Sequence, residues 1–310
     1  MTLDEMKRHL GGVTAIPILP FNERVEVDLE AHAKNVRYLM NSNRLDGGLK
    51  RVVAVAGTSL IHHLEEKEQT RVMEATGRVV GDEGVLMSGI VPRWGAADRA
   101  ASAQLALERP PDVFLMMPLA GVYDPAGYAE FLLRFGEKHG QNGGRFLIYM
   151  RNARDMDSIV SLLNRSEHFI GVKIGTGIAE VEPMSAALSP DKLVIWGIGE
   201  RNSTAAWKLG AKGHTSGTAL VAAGLADALN NAQRAGEFEK ALRLEGVVGA
   251  LEEIRFRDGR MYNYSAVAEA LRLSGFADVE GGSGHPLNPR VPPDVSREVE
   301  RALEPLRAYH

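Results

Sequence analysis

The sequence predicts an α/β fold, a (β/α)8 TIM barrel followed by an all-helical C-terminal extension. Three observations carry that expectation: eight short strand candidates (seven of them apolar runs), segments of helical periodicity between them, and a change of rhythm after about residue 235. Parallel strands need a crossover, usually a helix, between each pair, so an unbroken alternation implies a parallel sheet. Eight units is also the count that closes such a sheet on itself. A doubly wound open sheet is the rival arrangement, and the regularity of the eight units favours closure.

The strand candidates are "GVTAIPI" (12–18), "RVVAVA" (51–56), "GVLMSGI" (84–90) and "DVFLMM" (112–117). They continue with "RFLIYM" (145–150), "FIGVK" (169–173), "KLVIWG" (192–197) and "KGHTS" (212–216). Near-continuous apolar runs of this length fit strands buried on both faces. Between them, "DLEAHAKNVRYLM" (28–40) and "EEKEQTRVMEATGRVV" (65–80) space their apolar residues as helices do, and the second begins with the acidic residues a helix N-terminus prefers. "DPAGYAEFLLRFGEKHG" (124–140) opens on an Asp-Pro pair suited to cap and first turn, and stops at a glycine. Residues 1–235 are therefore read as the barrel, and residues 236–310 as a helical extension packed on it. Helices are expected over 237–256, 262–276 and 292–306, with a Gly/Pro-rich linker at 277–293.

The bulk properties narrow the function. The 310 residues are 45% hydrophobic and 25% charged, the composition of a globular protein. A net charge of -4 provides no basic stripe for nucleic acid and no attraction to an anionic membrane surface. There is no cysteine, which removes disulfides, thiolate metal sites and cysteine nucleophiles. The N-terminal "MTLDEMKRHLGG" lacks the apolar run of a signal peptide, and no segment has the roughly 18 apolar residues of a membrane helix. The expected location is the cytoplasm.

Barrel active sites lie at the C-terminal ends of the strands. That singles out Gly57-Thr58-Ser59, Pro118, Tyr149, Lys173, Gly197 to Glu200 and Ser216 to Thr218. Lys173 ends an apolar strand, where desolvation would lower its pKa and free the amine to attack a carbonyl. Tyr149 closes the preceding strand, beside the lysine, where its hydroxyl could shuttle protons. Thr58 and Ser59 could hold a carboxylate or alkoxide. Together these residues make a coherent Schiff-base site with no cofactor.

The same motifs resemble the dihydrodipicolinate synthase / N-acetylneuraminate lyase family of class I aldolases and dehydratases. The resemblance covers about residues 10–235, and the helical tail is also similar to the family's. The family's "A-x-V-T-P-F" looks like "AIPILPF", its "G-T-T-G-E" turn like "GTSLIHHLEEKE", its "Y-N-x-P" like "YMRN", and its "G-x-K-x-x-x-G" like "GVKIGTG". The resemblance implies that Lys173 is the Schiff-base lysine, Tyr149 the proton relay, and Thr58 with Ser59 the pair that binds a keto-acid carboxylate. Departures bear on substrate. Leu119 and Ala120 stand where synthases carry tyrosines of a hydroxyl relay, unless Tyr123 substitutes. Leu60, Ile61 and Met150 replace polar or glycine positions.

By the synthase pattern, Arg154 grips a substrate carboxylate. "YMRNARDM" and "KIGTG" also look like the keto-deoxyglucarate dehydratase branch, which brings Arg151 forward instead. "GIGE" resembles a sialic acid lyase motif and would make Glu200 a contact for sugar hydroxyls. Ser216 and Thr218 fall in the eighth-strand segment that lines the family's pocket.

The implied activity is a lyase, aldolase or dehydratase, on a 2-keto acid of sugar-acid type, in a homo-oligomer (tetramer or dimer). One alternative is a synthase-like condensation of pyruvate with an aldehyde. The other is a catalytically silent member that binds a ligand or partner. Elsewhere, the His62-His63 pair reads as solvent or packing, because neighbouring residues diverge and a zinc site needs at least three ligands. "GGSGHP" lacks the strand and helix of a nucleotide loop. "LEEIRFRDGRMYNYS" (251–265) reads as a solvated helix face and its turn.

Overall fold

A computed structural model describes residues 1–310. A short helix α1 (Leu3–Leu10) precedes the first strand and is opened by a capping box between Thr2 and Glu5. The barrel then runs β1 (Val13–Ala15), α2 (Leu29–Asn41), β2 (Val52–Val55), α3 (Glu66–Val80), β3 (Val85–Ile90) and α4 (Ala96–Leu105). It continues through β4 (Val113–Met116), α5 (Pro125–Gly140), β5 (Phe146–Met150), α6 (Met156–Arg165), β6 (Phe169–Ile174) and α7 (Val181–Ala187). The last units are β7 (Leu193–Trp196), α8 (Ser203–Lys208), β8 (His214–Ser216) and α9 (Ala219–Arg234). Each strand pairs in parallel with the next, and β8 pairs with β1, so the sheet is a closed barrel. β1 is much shorter than its apolar run, since Pro17 and Pro20 have no N–H to give a ladder.

The pleat decides which strand residues face the site. On β5 to β7, Leu147, Tyr149, Ile170 and Ile195 belong to one core cluster. Phe146, Ile148, Met150, Val172, Ile174, Val194 and Trp196 belong to the other, packed beneath helix residues such as Leu132, Leu162 and Met184. Alternate residues on a strand point to opposite faces, and the break in parity between Ile170 and Val172 coincides with a register shift where β5 pairs with β6. Tyr149, Lys173 and Ile195 are register partners across β5, β6 and β7 and share a level and a direction.

Beyond the barrel come α10 (Phe238–Arg260), α11 (Ser265–Ser274) and α12 (Pro293–Leu303). Buried side chains of this extension, Leu251, Tyr264, Val267, Val299 and Leu303, lie in the same core cluster as barrel residues Val53, Val55 and Leu220. The segment read as a linker is not loose. Glu280 exchanges backbone hydrogen bonds with the Asn35 side chain (2.7 and 2.9 Å), and Ser283 N donates to the Phe21 carbonyl (2.7 Å). It is a strap over the first barrel unit. No helix is long and apolar enough to cross a membrane.

Candidate active site

Lys173 and Tyr149 open into a cavity of about 390 Å³ at the C-terminal mouth of the barrel. Thr58, His62, Met117, Pro118, Arg151, Gly197, Thr215 and Gly217 also line it. Four more lining residues, Arg255, Phe256, Arg260 and Asn263, come from the extension. Lys173, Arg151, Arg255 and Arg260 thus face one space, and no Asp or Glu lines it.

The lysine amine sits 4.1 Å from the centre of the Tyr149 ring. Lys173 is only 4% exposed, and burial pushes its pKa down; the Tyr149 oxygen opposes the shift, while Arg260, Arg151 and Arg255 add to it. Such an amine reaches its neutral, nucleophilic form at lower pH than a surface lysine. Tyr149 is displaced oppositely to what burial would cause. Burial raises a phenol's pKa, but the charges of Lys173, Arg151 and Arg260 outweigh it and lower the value to about 7. Arg151 Nη1 and Arg260 Nη1 approach the Tyr149 oxygen at 3.4 and 3.3 Å. A phenol balanced near neutrality both gives and takes a proton readily.

Thr58 stands in a short 3₁₀ turn after β2, Gly57–Ser59, and its Oγ1 accepts from Asn263 Nδ2 (3.4 Å). Asn263 Oδ1 in turn accepts from Arg255 Nη2 (2.7 Å). Gly217 makes room for that arginine, since a Cβ there would stand 2.8 Å from the guanidinium carbon. Ser59 is turned away from the cavity: its Oγ donates to the Pro17 carbonyl (2.6 Å) and accepts from Ala56 N (3.2 Å). It holds the turn that presents Thr58.

Three other sequence candidates also lie off the cavity wall. Ser216 and Thr218 follow the outward parity of His214, so Thr215 and Gly217 line the cavity in their place. The Ser216 and Thr218 hydroxyls donate to Glu200 Oε1, the latter at 3.0 Å. Glu200 is fully buried against Glu252, whose carboxyl is raised well above the usual range by burial and by the Glu200 charge. Glu252 Oε1 accepts from Arg255 Nη1 (3.3 Å), so this acidic pair backs the arginine rather than meeting a ligand. Gly197 and Gly199 take the places at the wall.

Between the two arginines after β5, Arg151 faces the lysine and Arg154 does not. Arg154 lies half-exposed over the Tyr123 ring (4.5 Å) and donates to the Tyr123 carbonyl (3.1 Å). It borders a smaller neighbouring cavity that shares Tyr149 and Arg151. The Tyr123 hydroxyl donates its proton to Asp155 Oδ2 (2.6 Å).

Two sequence expectations change. His62 lines the cavity, where burial and then the charges of His63, Arg93 and Arg151 lower its pKa and keep it neutral. His63 stacks on His285, ring centres 5.5 Å apart. The stretch 251–265 is not merely a solvated face, since Arg255, Phe256, Arg260 and Asn263 reach the cavity from it. Its one local signal is the Asp258-Gly259 pair, a turn marker inside a helical pattern.

Residues 150–303, which include Lys173, match the Dihydrodipicolinate synthetase family. This half of the chain carries a domain of that family. Among curated proteins it is 23% identical over 177 residues to the "Probable 5-dehydro-4-deoxyglucarate dehydratase" of Bacillus subtilis, covering 56% of this chain and 54% of the relative. The chain thus spans about half the length of the curated relatives it matches. The fold matches a dihydrodipicolinate synthase from Bacillus clausii with a TM-score of 0.87 at 19% identity, over 96% of this chain and 98% of that one. A "sialic acid aldolase catalytic lysine mutant" from Ruminococcus gnavus matches with a TM-score of 0.82 at 14% identity, over 99% and 98% of the two chains. Both structures share the family's barrel and helical tail with this chain.

Proposed function

We propose that the protein is a Schiff-base-forming lyase, an aldolase or dehydratase, acting on a 2-keto acid of the sugar-acid type. One observation carries this reading. Lys173 is a buried amine with a lowered pKa, register-paired with Tyr149, in a cavity lined by cations and by no carboxylate. The neutral amine attacks the keto carbon of the substrate. Imine formation removes two protons from the nitrogen and delivers them to the keto oxygen, which leaves as water. Tyr149 carries protons between those atoms, its pKa of about 7 suiting it to both directions. The imine then withdraws electrons from the adjacent carbon, so that a carbon–carbon bond or a hydroxyl further along the chain is released.

Thr58, held by Asn263, receives the carboxylate next to the keto group. Arg255 and Arg151 offer charge-assisted bonds to a second carboxylate at the far end of the substrate. The dehydratase relatives are named for a glucarate-derived keto acid, which agrees with such a diacid. With the Tyr123 hydroxyl engaged by Asp155, no hydroxyl chain leads on from Tyr149, and this favours cleavage or dehydration over condensation. The reading includes a homo-oligomer, dimer or tetramer, whose mass light scattering would measure.

The test is a turnover assay on paired keto-sugar acids of equal chain length, with one and with two carboxylates, following pyruvate release and water loss separately. The diacid is expected to be favoured by at least about tenfold in kcat/KM, the size of one hydrogen-bonded charge contact. That preference should shrink in Arg255→Ala. Turnover of neither compound, or equal turnover of both, contradicts the reading.

A further inference from the structure

The tail of α10 is bent in a way a connecting helix does not need. Arg257 is extended (φ -55°, ψ 144°), and Asp258, Gly259 and Arg260 then follow at φ 47°, 71° and 78°. Three successive residues in the left-handed region, two of them with side chains, make a strained turn. Strain of this kind persists where the surroundings fix it, and it concentrates at functional sites. Its consequence here is definite. The turn carries Arg260 back over the barrel mouth, where Nη1 lies 3.3 Å from the Tyr149 oxygen and Nη2 donates to the Gly175 carbonyl (3.2 Å). The guanidinium also rests over the Phe256 ring, 5.4 Å from its centre. Gly175 lets the three groups meet, since a Cβ there would stand 2.7 Å from Arg151 Cδ and 2.9 Å from the Tyr149 oxygen.

We infer that Arg260 is a positioning residue for the proton relay, a guanidinium delivered by the C-terminal extension to hold the Tyr149 oxygen in its charged, proton-accepting form beside Lys173. The relay role of Tyr149 rests on the lyase reading, whereas the electrostatic hold on Tyr149 does not. The charged groups facing that oxygen are Lys173 from β6, Arg151 from the loop after β5 and Arg260 from the extension. Arg255, paired behind the wall with Glu252 (3.3 Å), and His62 stand further round, and no acidic side chain lines the cavity itself. Arg260 contributes both a charge and a hydrogen bond to the lowering of the Tyr149 pKa. A guanidinium stays protonated across the whole working range, so its effect does not fade with pH.

The experiment is an ultraviolet difference titration of tyrosinate in the full chain, with no substrate present. Wild type is compared with Tyr149→Phe, Arg260→Met and Arg260→Lys, and circular dichroism checks that each is folded. Wild type should show one tyrosine ionising at about pH 7, and Tyr149→Phe should lack that step. In Arg260→Met the step should move up by about one unit or more, the shift typical of losing an adjacent charge. Arg260→Lys should return part of it, which a purely structural arginine would not require. A Tyr149 step that stays in place in Arg260→Met overturns the inference, as does the lack of any near-neutral step that Tyr149→Phe removes. Should the step shift with Arg260 while no keto acid is turned over, the hold on Tyr149 stands and the lyase reading falls.

Discussion

A lysine and a tyrosine that share a strand register, each with its pKa drawn toward neutrality, form the centre of this molecule. Keeping Lys173 buried without an acidic partner works against folding, because burial disfavours the ammonium. Lys173→Met should therefore be more stable to urea than wild type, while losing all keto-acid turnover; a lower urea midpoint would mean that the amine is a structural group. The direction of the pH effect follows from the same shift. The amine is nucleophilic only above its own pKa, so imine formation should rise from acid toward neutral pH and saturate earlier than it would for an exposed lysine. Tyr149→Phe keeps the ring under the lysine and removes the hydroxyl proposed to carry the proton. Its imine-forming rate should fall by about 10²–10⁴-fold, the usual contribution of general acid–base catalysis, with little change in KM. A rate within a factor of two or three of wild type would place the proton carrier elsewhere.

Strands and turns decide which side chains meet this pair, and here sequence and structure part ways in an instructive manner. Apolar runs mark seven of the eight strands, because strands buried on both faces are apolar along most of their length, whereas the polar β8 (His214–Ser216) is marked only by its place in the alternation. They do not mark parity. Ser216 and Thr218 look like pocket residues by position and chemistry, yet the pleat turns them toward Glu200 and leaves Thr215 and Gly217 at the wall. Gly217, between Ser216 and Thr218, is in the fold the space into which Arg255 extends. Gly217→Ala should displace that guanidinium and lower kcat/KM for a keto-diacid by about tenfold, the loss of one charge-assisted contact, with the monoacid unaffected. At the opposite end of the barrel, Arg51 on the approach to β2 grips Asp227 of α9 through two 2.6 Å bonds, both side chains wholly buried. Asp227→Ala leaves the arginine unpaired and should cost about 3–5 kcal/mol in unfolding free energy. Calorimetry or urea melts measure it, and Lys173 chemistry should survive below the new midpoint.

The barrel and its helical tail form one cooperative object at the site. The Arg260–Tyr149 contact spans 111 residues of sequence, and the Asn263–Thr58 contact spans 205. Contacts of that separation leave no local pattern, which is why 251–265 reads in sequence only as charged helix and turn. The Lys173–Tyr149 pair was legible because chain order and strand position place it directly; the cationic wall was not, because tertiary packing assembles it. Since Leu251, Tyr264, Val299 and Leu303 share a core with barrel strands, a chain ending at residue 235 should expose that core. It should bind a hydrophobic dye and melt without a cooperative transition; a sharply melting truncated barrel would show that the tail is an independent appendage. The central claim concerns one nitrogen atom. The full-length protein, incubated with pyruvate or a keto-sugar diacid and then borohydride, should gain the mass of one reduced adduct. Peptide mapping should place that adduct on Lys173 and find none in Lys173→Ala. No adduct with any of these keto acids, or an adduct on a different lysine, would contradict the account.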